Sequence, residues 1–238
     1  MERALLSDIE LYFSPEDGTD NLLKITGEEC HHLKDVMRHK TGDEIYVTNG
    51  KGSIYKALIN EIDKKEIACS IIEEQQYANK FEKITFCIPR LKSAERFEFA
   101  LEKCVELGIT NFVVFESART IAKGEKLERW QKILLSAMKQ SLRAWLPKIS
   151  YVKSLNELMN LHGSKIIFDQ HVETTLSDFL KSQYSLLHTQ YLFVFGPEGG
   201  LTEDECRVKS GEFRVKLTDN RLRSETAIVT AASLLCLN

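Results

Sequence analysis

The sequence predicts a mixed α/β protein in which a small β-barrel precedes a larger domain built on a parallel β-sheet. Two observations lead to this prediction. Up to about residue 76 the chain consists mainly of short apolar strands, and after residue 80 strand-like runs alternate with helical patterns. A series of short strands closes naturally into a small antiparallel barrel, whereas alternating strands and helices are typical of a parallel sheet. We therefore expect domains at residues 1–75 and 80–238, with a polar linker over residues 73–80.

The N-terminal domain is expected to contain strands at residues 22–25, 44–47, 54–59 and 67–72, with a hairpin turn at residues 49–52. One helix, from about Glu28 to His39, interrupts this series. His32, Asp35 and His39 fall on one face of that helix at steps of three and four. A zinc site normally needs three or four fixed ligands with supporting partners, so we predict no metal site and assign these residues, with the neighbouring His31, to a polar helix face or to RNA contact.

In the C-terminal domain, strands are expected at residues 84–88, 111–115, 165–169, 191–195 and 213–217. The first helix begins after Ser93, buries Phe97, Leu101, Cys104 and Val105, and ends at Gly108. A second helical pattern continues from Leu127 through Trp145 until Pro147 stops it. Trp130 and Trp145 share the phase of its apolar face, which favours core packing over base stacking.

The first candidate functional loop is Gly196-Pro197-Glu198-Gly199-Gly200-Leu201, which follows an apolar strand. Its glycines allow a sharp turn and a close approach of the backbone to a ligand. Thr202 and Glu205 then form a capping box that predicts the start of a helix. A strand, a glycine-rich turn and a helix start together present backbone N–H groups to a ligand. Taken alone, this loop is equally well explained as a tight turn, and it lacks the Gly-Lys-Ser/Thr of a P-loop.

The second candidate loop follows the strand at residues 213–217 and leads to Ser224, which is expected to cap the final helix. That helix, through Leu237, is apolar on nearly every face and should be buried against the protein or a second subunit. Arg223 precedes it and suits a phosphate or a ligand carbonyl, because guanidinium favours bidentate contacts. The alternative for Arg223 is a salt bridge to Glu198 or Glu225.

Gly-Pro-Glu-Gly-Gly at residues 196–200 and Leu-Arg-x-Glu-Thr-Ala at residues 222–227 resemble the two loops of the ribosomal-RNA uridine-N3 methyltransferase family (RsmE) of the SPOUT class. Segments at residues 31–38, 103–109 and 139–147 are similar to the family as well, so the likeness covers nearly the whole chain. Thr218 stands where the family usually has glycine, and we expect the loop after Leu217 to bend differently for that reason. The resemblance implies a PUA-like RNA-binding barrel followed by a SPOUT domain with a C-terminal trefoil knot.

The resemblance also implies N3-methylation of a specific uridine in small-subunit (16S) ribosomal RNA, with S-adenosylmethionine as the cofactor and a homodimer as the working form. The expected cofactor-binding residues are Phe168, Phe195, Gly196, Pro197, Gly199, Gly200, Leu201, Leu217, Thr218, Asn220, Leu222, Arg223, Thr226 and Ala227. Arg223 is also expected to stabilise the anion that develops on uracil, while Glu198 or Glu225 accepts the N3 proton. Arg38, Lys139 and Arg143 are the expected RNA contacts.

Charge is distributed unevenly along this chain, which has a formal net charge of −3. Between Arg119 and Lys153, nine basic residues face only two acidic ones, Glu125 and Glu128. Such segregation suits an enzyme with one surface that faces nucleic acid, although a solvated helix face is an equally good explanation of a single charge run.

Scattered cysteines without a Cys-x-x-Cys pair favour reduced thiols, and we expect a cytoplasmic protein with no membrane span and no signal peptide.

Two other functions remain open at this point. One is an RNA-binding assembly factor that keeps the fold without catalysis, and the other is a SPOUT methyltransferase that acts on transfer RNA. Cofactor binding would separate the first of these from an enzyme.

Overall fold

The computed structural model describes residues 9–182, 189–207 and 212–237. Packing divides the described chain into two compact units. The first contains the residues up to Asn79 together with Met138–Leu146, and the second contains Lys80–Ala137 and the described residues from Pro147 onwards. By its contacts, a nine-residue segment from the predicted second domain therefore belongs to the first unit.

The first unit is built on a curled five-stranded sheet. Its strands are β1 (Leu11–Phe13), β2 (Leu22–Thr26), β3 (Glu44–Thr48), β4 (Ser53–Ile62) and β5 (Glu66–Gln76), in the order β1-β3-β4-β5-β2. The apolar residues of these strands alternate, so one face supplies a core that includes Tyr12, Ile25 and Val47. Two register shifts along β4 bend the sheet around this core.

Three details of the first unit differ from the prediction. β1 runs parallel to β3, so the sheet is not purely antiparallel. The helix expected to reach His39 consists of α1 (Gly27–His31) and a π-helical turn over His32–Val36, after which the chain leaves the helix. The strand β5 continues to Gln76 because Ser53–Lys56 of β4 pairs with Glu73–Gln76, so the first half of the expected linker is strand.

The second unit contains a six-stranded, entirely parallel sheet in the order β11-β9-β10-β6-β7-β8. Its strands are β6 (Ile84–Pro89), β7 (Asn111–Phe115), β8 (Lys148–Val152), β9 (Ser164–Phe168), β10 (Tyr191–Val194) and β11 (Glu212–Val215). The parallel sheet was predicted, and β8 was not. The trefoil knot stays a prediction.

The helices are α2 (Ala94–Glu106), α3 (Leu127–Gln140), α4 (Leu155–Met159), α5 (Leu176–Ser182) and α6 (Ser224–Leu237). α2 begins and ends as predicted. The Ser93 hydroxyl accepts the Arg96 N–H at 3.3 Å, and Gly108, with φ of +95°, closes the helix through a bond from the Ile109 N–H to the Cys104 carbonyl. α3 ends at Gln140, earlier than expected, because Leu142 adopts a left-handed conformation with φ of +55°.

Aromatic side chains form much of the core of the second unit. Trp130 is fully buried against Phe97, with ring centroids 5.1 Å apart, and the buried Arg90 guanidinium lies over both rings. Burial lowers the pKa of Arg90. Four of the free cysteines are buried, as the sequence predicts. No helix among the described residues is long and apolar enough to cross a membrane.

Candidate functional site

A cavity of about 880 Å³ lies in the second unit where β9, β10 and β11 end. Ligands of open parallel sheets bind beyond the carboxyl ends of the strands, so this is the expected edge for a site. Three segments form most of its wall: Phe168–His171 after β9, Phe195–Glu203 after β10, and Lys216–Glu225 after β11, with contributions from Arg96, Arg119 and Cys206. Each candidate loop predicted from the sequence lies on this wall.

A tight turn shapes the loop after β10. The Gly200 N–H donates to the Pro197 carbonyl at 2.8 Å, and Gly200 has a φ of +69°, which glycine adopts without strain. A Cβ atom at Gly200 would meet only the Arg119 guanidinium, 4.0 Å away. The space next to Gly200, where a side chain would begin, is therefore open.

Arg119, in the segment after β7, stabilises this turn through side-chain hydrogen bonds. Its guanidinium donates to the carbonyls of Gly199 at 2.8 Å and Leu201 at 3.4 Å. Its aliphatic stem packs so closely on Gly199 that a Cβ there would lie 3.3 Å from the Arg119 Cβ. The sequence placed Arg119 in the basic run that was expected to face RNA, whereas its observed partners belong to the loop.

Residues Thr202 and Glu205 form the predicted capping box. The Thr202 N–H donates to Glu205 Oε2 at 2.8 Å, and the Glu205 N–H donates to the Thr202 hydroxyl at 3.2 Å. The other Glu205 oxygen accepts the Ala118 N–H at 2.9 Å, which ties the turn to the loop after β7. The expected longer helix is absent from the described residues up to Arg207, which contain a single turn here.

One hydrogen bond joins the two candidate loops. α6 begins at Ser224, whose hydroxyl donates to the Gly196 carbonyl at 3.0 Å. Ser224 was predicted to cap α6 and instead connects its first turn to the glycine loop. Thr218 accepts the Asn220 N–H at 3.3 Å and is not among the described non-glycine residues with positive φ. Threonine therefore occupies the usual glycine position without backbone strain.

Two aromatic rings lie side by side in the wall of the cavity. Phe168 and Phe195 are stacked, with centroids 4.4 Å apart and planes 4° from parallel. Phe195 also packs against Phe86, and Phe168 against Phe193, so the aromatic core of the sheet supports both rings. Phe195 is fully buried and supports the partly exposed Phe168, which is the ring that can contact a ligand.

The three predicted catalytic residues all line the cavity, with different partners. Glu198 is exposed and accepts the Lys92 N–H at 2.9 Å, so it links the glycine loop to the segment before α2. Glu225 is largely buried, with 12% of its side chain exposed, and Arg96 Nε lies 3.5 Å from its Oε1. Its Oε2 atom is buried without a hydrogen-bond partner. Within the described part of the chain, the exposed Arg223 side chain is in no ion pair, so neither expected salt bridge forms.

The wall of the cavity also contains a charged pair that was not predicted from the sequence. Arg214 at the end of β11 pairs with Asp169, whose carboxylate also accepts the His171 N–H at 2.9 Å. Nearby, a hydrogen bond from Lys216 lowers the pKa of Asp219. Asp169 follows a different strand, β9, so its pairing with Arg214 is not visible in the sequence around either residue.

Of the expected cofactor-binding residues, Thr226 alone does not line the cavity; it is exposed on the first turn of α6.

The predicted RNA contacts all lie in the first unit. Arg38 is exposed, with a φ of +58°. Lys139 donates to both oxygens of Glu29 at 2.7 and 2.9 Å, and Arg143 also has a partner.

The histidines considered for a metal site have other partners. His31 contacts Asp35 at 2.5 Å, and His39 contacts Asp43 at 3.1 Å and the Tyr12 hydroxyl at 3.0 Å. His39 lies beyond the end of the π-helical turn, so it does not share the helix face that the sequence suggested. The described residues contain no group of three or more His, Cys, Asp or Glu arranged to hold a metal ion.

Comparison with known proteins agrees with this geometry. Residues 78–236 match the family model for an RNA methyltransferase domain, and residues 25–72 match that for an RNA methyltransferase PUA domain. The chain is 32% identical to ribosomal RNA small subunit methyltransferase E of Bacillus subtilis, with 88% of this chain and 87% of the relative covered. It is 30% identical to the protein of the same name from Aquifex aeolicus, with 94% and 97% covered.

A solved structure extends the likeness to three dimensions. The Neisseria gonorrhoeae ribosomal RNA small subunit methyltransferase E, crystallised with S-adenosyl methionine, superposes with a TM-score of 0.83 at 27% identity, over 95% of this chain and 96% of that one. The curled first sheet and the parallel second sheet are thus those of a PUA domain and a methyltransferase domain. The chain belongs to the ribosomal RNA small subunit methyltransferase E family.

Proposed function

We propose that this protein transfers a methyl group from S-adenosylmethionine to N3 of a specific uridine in small-subunit ribosomal RNA. The observation that carries the proposal is the cavity at the carboxyl edge of the parallel sheet, where the glycine loop and the start of α6 meet through the Ser224–Gly196 hydrogen bond. Family membership supports the same reaction and the same cofactor.

The residues around the cavity fit S-adenosylmethionine. A volume of about 880 Å³ is within the usual range for small-molecule sites, roughly 300–1,000 Å³. The position beside Gly200 that a Cβ would occupy is open, and the partly exposed Phe168 ring, supported from behind by the buried Phe195, offers an apolar surface to an adenine ring. When bound, the cofactor supplies an electrophilic methyl group on a sulfonium, and the electrons of the broken bond return to sulfur.

Arg223 is the residue best placed to act on the uracil. It lines the cavity beside the start of α6 and is in no ion pair within the described residues. A guanidinium can donate to a uracil carbonyl, hold the base in line and stabilise the negative charge that develops as N3 loses its proton. Alignment of the two reactants supplies much of the remaining rate.

Glu225 is the proposed acceptor of the N3 proton. The Lys92 N–H engages Glu198, which is exposed and anchors the glycine loop. Glu225 lines the cavity, and its carboxylate has one oxygen, Oε2, that is not engaged in a hydrogen bond. A carboxylate is a suitable general base when it is within hydrogen-bond reach of the proton that it accepts.

RNA binding and self-association complete the proposal. The PUA domain at residues 25–72 supports contact with RNA, and we retain Arg38 and Arg143 as RNA contacts, while Lys139 serves mainly to hold Glu29. A homodimer is supported by apolar side chains that stay exposed on two helices packed against each other, Phe99 at 49% on α2 and Leu237 at 84% on α6. The dimer would act in the cytoplasm on a partly or fully assembled small subunit.

The test is mass mapping of methylated uridine in small-subunit ribosomal RNA from cells with and without the protein. We expect one N3-methyluridine to disappear without the protein and to return with the wild-type chain, but not with an Arg223→Ala chain. Unchanged methylation in the deletion strain would refute the proposal. Calorimetry with S-adenosylmethionine supplies an independent readout, because a non-catalytic assembly factor need not bind the cofactor.

A further inference from the structure

We propose that Arg221 binds a phosphate group of the ribosomal RNA beside the target uridine, and so holds the nucleotide while its base is methylated. The inference rests on the proposed function, since it names a further contact of the same site with the same substrate. Arg221 was assigned no role from the sequence, and the Leu-Arg-x-Glu-Thr-Ala motif that resembles the family begins one residue after it.

The wall of the cavity carries more positive than negative charge. Among the described residues that line it, six are arginine or lysine and four are aspartate or glutamate. S-adenosylmethionine does not explain this surplus, because its sulfonium and ammonium groups outnumber its single carboxylate. RNA brings an anionic phosphodiester with every nucleotide. The charge of the wall therefore suits the RNA better than it suits the cofactor.

The surplus positive charge is on two arginines. The other four cations of the wall are engaged within the protein, in the pairs Arg214–Asp169, Arg96–Glu225 and Lys216–Asp219 and in the bonds from Arg119 to the carbonyls of Gly199 and Leu201. In the part of the chain that the structure describes, the side chains of Arg221 and Arg223 have no ion pair and no hydrogen bond. Both guanidinium groups are therefore available to a ligand.

The loop that carries Arg221 is fixed on both sides of this residue. Before it, the Asn220 N–H donates to the Thr218 hydroxyl at 3.3 Å. After it, the Ser224 hydroxyl donates to the Gly196 carbonyl at 3.0 Å. Because the backbone is held at these two points, little conformational freedom of the loop has to be lost when Arg221 binds an anion.

Arg221 and Arg223 suit two parts of one nucleotide. Both are exposed at the cavity, and Leu222 between them is partly buried. When Arg223 holds a uracil carbonyl, the phosphates of the same nucleotide lie outside the base, where a second guanidinium can form bidentate hydrogen bonds with phosphate oxygens. Phosphate contacts fix the register of a nucleic acid and carry no information about the base. Arg221 therefore contributes to RNA affinity and to the placement of the nucleotide.

The experiment measures binding of the protein to small ribosomal subunits from the deletion strain at several salt concentrations. The variants are Arg221→Gln, which removes the charge, and Arg221→Lys, which keeps it. Arg207→Gln is the matched control, because it removes an exposed arginine of the same unit that pairs with Asp204 and does not line the cavity. S-adenosylmethionine affinity, by calorimetry, and thermal stability are measured for every variant.

We expect Arg221→Gln to weaken subunit binding and to reduce the slope of log affinity against log salt concentration by about 0.7–1, the effect of one lost phosphate contact. Arg221→Lys should keep the wild-type slope, since an ammonium also binds phosphate as a point charge. Arg207→Gln should keep it as well. All three variants should bind S-adenosylmethionine with the wild-type affinity and unfold near the wild-type temperature.

Three results would overturn the inference. The first is a salt slope for Arg221→Gln that equals the wild-type slope, and the second is an equal reduction in Arg207→Gln, which would make the effect one of overall charge. The third is a loss of S-adenosylmethionine affinity in Arg221→Gln, which would assign Arg221 to the carboxylate of the cofactor. None of them affects the proposed function, which fails if the wild-type protein adds no methyl group to uridine N3 of these subunits.

Discussion

Replacement of Arg119 by alanine tests the assignment of the glycine loop as the cofactor cradle. The substitution removes the two hydrogen bonds to the carbonyls of Gly199 and Leu201 and the stem that packs on Gly199. A hydrogen bond to a charged group contributes about 1.5–3 kcal/mol when it is shielded. Because Arg119 is exposed, we discount this to about 1 kcal/mol, which corresponds to roughly a fivefold loss of affinity.

Calorimetry with S-adenosylmethionine measures this loss directly. Lys123→Ala is the matched control, since Lys123 is a nearby exposed cation that pairs with Glu116 at 2.9 Å instead of with the loop. We expect the control to bind the cofactor normally and both variants to unfold near the wild-type temperature. Normal cofactor affinity in Arg119→Ala would refute the reasoning, and a selective loss of RNA affinity would return Arg119 to the RNA surface.

Three further predictions concern the cavity and the first unit. Gly200→Val should abolish S-adenosylmethionine binding in calorimetry, because a branched side chain fills the open side of the turn and strains a residue with φ of +69°. Arg223→Ala should lower the single-turnover methylation rate by about 10²- to 10³-fold, the typical effect of one lost charge-stabilising donor, with cofactor affinity nearly unchanged. Lys139→Met should lower the free energy of unfolding by about 1–3 kcal/mol in denaturant titrations, because Glu29, with 16% of its side chain exposed, loses its cation.

Each of these predictions has a result that would count against it. Normal cofactor binding by Gly200→Val would place the cradle elsewhere, provided that circular dichroism shows a folded chain. A near-wild-type rate for Arg223→Ala would remove Arg223 from the mechanism. For Lys139, the double variant Lys139→Met with Glu29→Leu should recover part of the lost stability, since both charges are then absent. Wild-type stability in the single variant would mean that the ion pair does not stabilise the fold, and Lys139 would then be assigned to RNA binding.

The elements that the sequence predicted well are those with local signals. α2 has a capping serine, a regular apolar face and a terminal glycine, and its structure follows each of them. The strand before the glycine loop is a continuous apolar run, as parallel sheets bury on both faces, whereas the strand before the second loop alternates apolar and basic residues. Local patterns were therefore sufficient to bring the glycine loop and the start of α6 to one edge of the sheet.

Elements that depend on distant partners were predicted poorly. β8 is a short edge strand, and its pairing with β7 is not visible in its own sequence. The end of β5 is polar and is extended only because β4 pairs with it. α3 stops at Gln140 even though its apolar phase continues to Trp145, whose indole N–H donates to the Tyr77 carbonyl at 2.8 Å.

The basic run shows most clearly why the charge pattern of a sequence segment is a poor guide to its binding partners. The segment from Arg119 to Lys153 has few acidic residues of its own, yet Arg119, Lys123, Arg129 and Lys139 find carbonyls or carboxylates in other elements. Net charge over a segment therefore does not measure the charge available to a ligand. The useful quantity is the set of charged groups that folding leaves without ionic partners at a cavity wall. Among the described residues Arg223 meets this criterion, as do Arg221 and Glu203, while Glu225 has one carboxylate oxygen without a hydrogen-bond partner. This comparison favours a catalytic role for the turn at Arg223–Glu225 over an RNA-binding role for the basic run from Arg119 to Lys153.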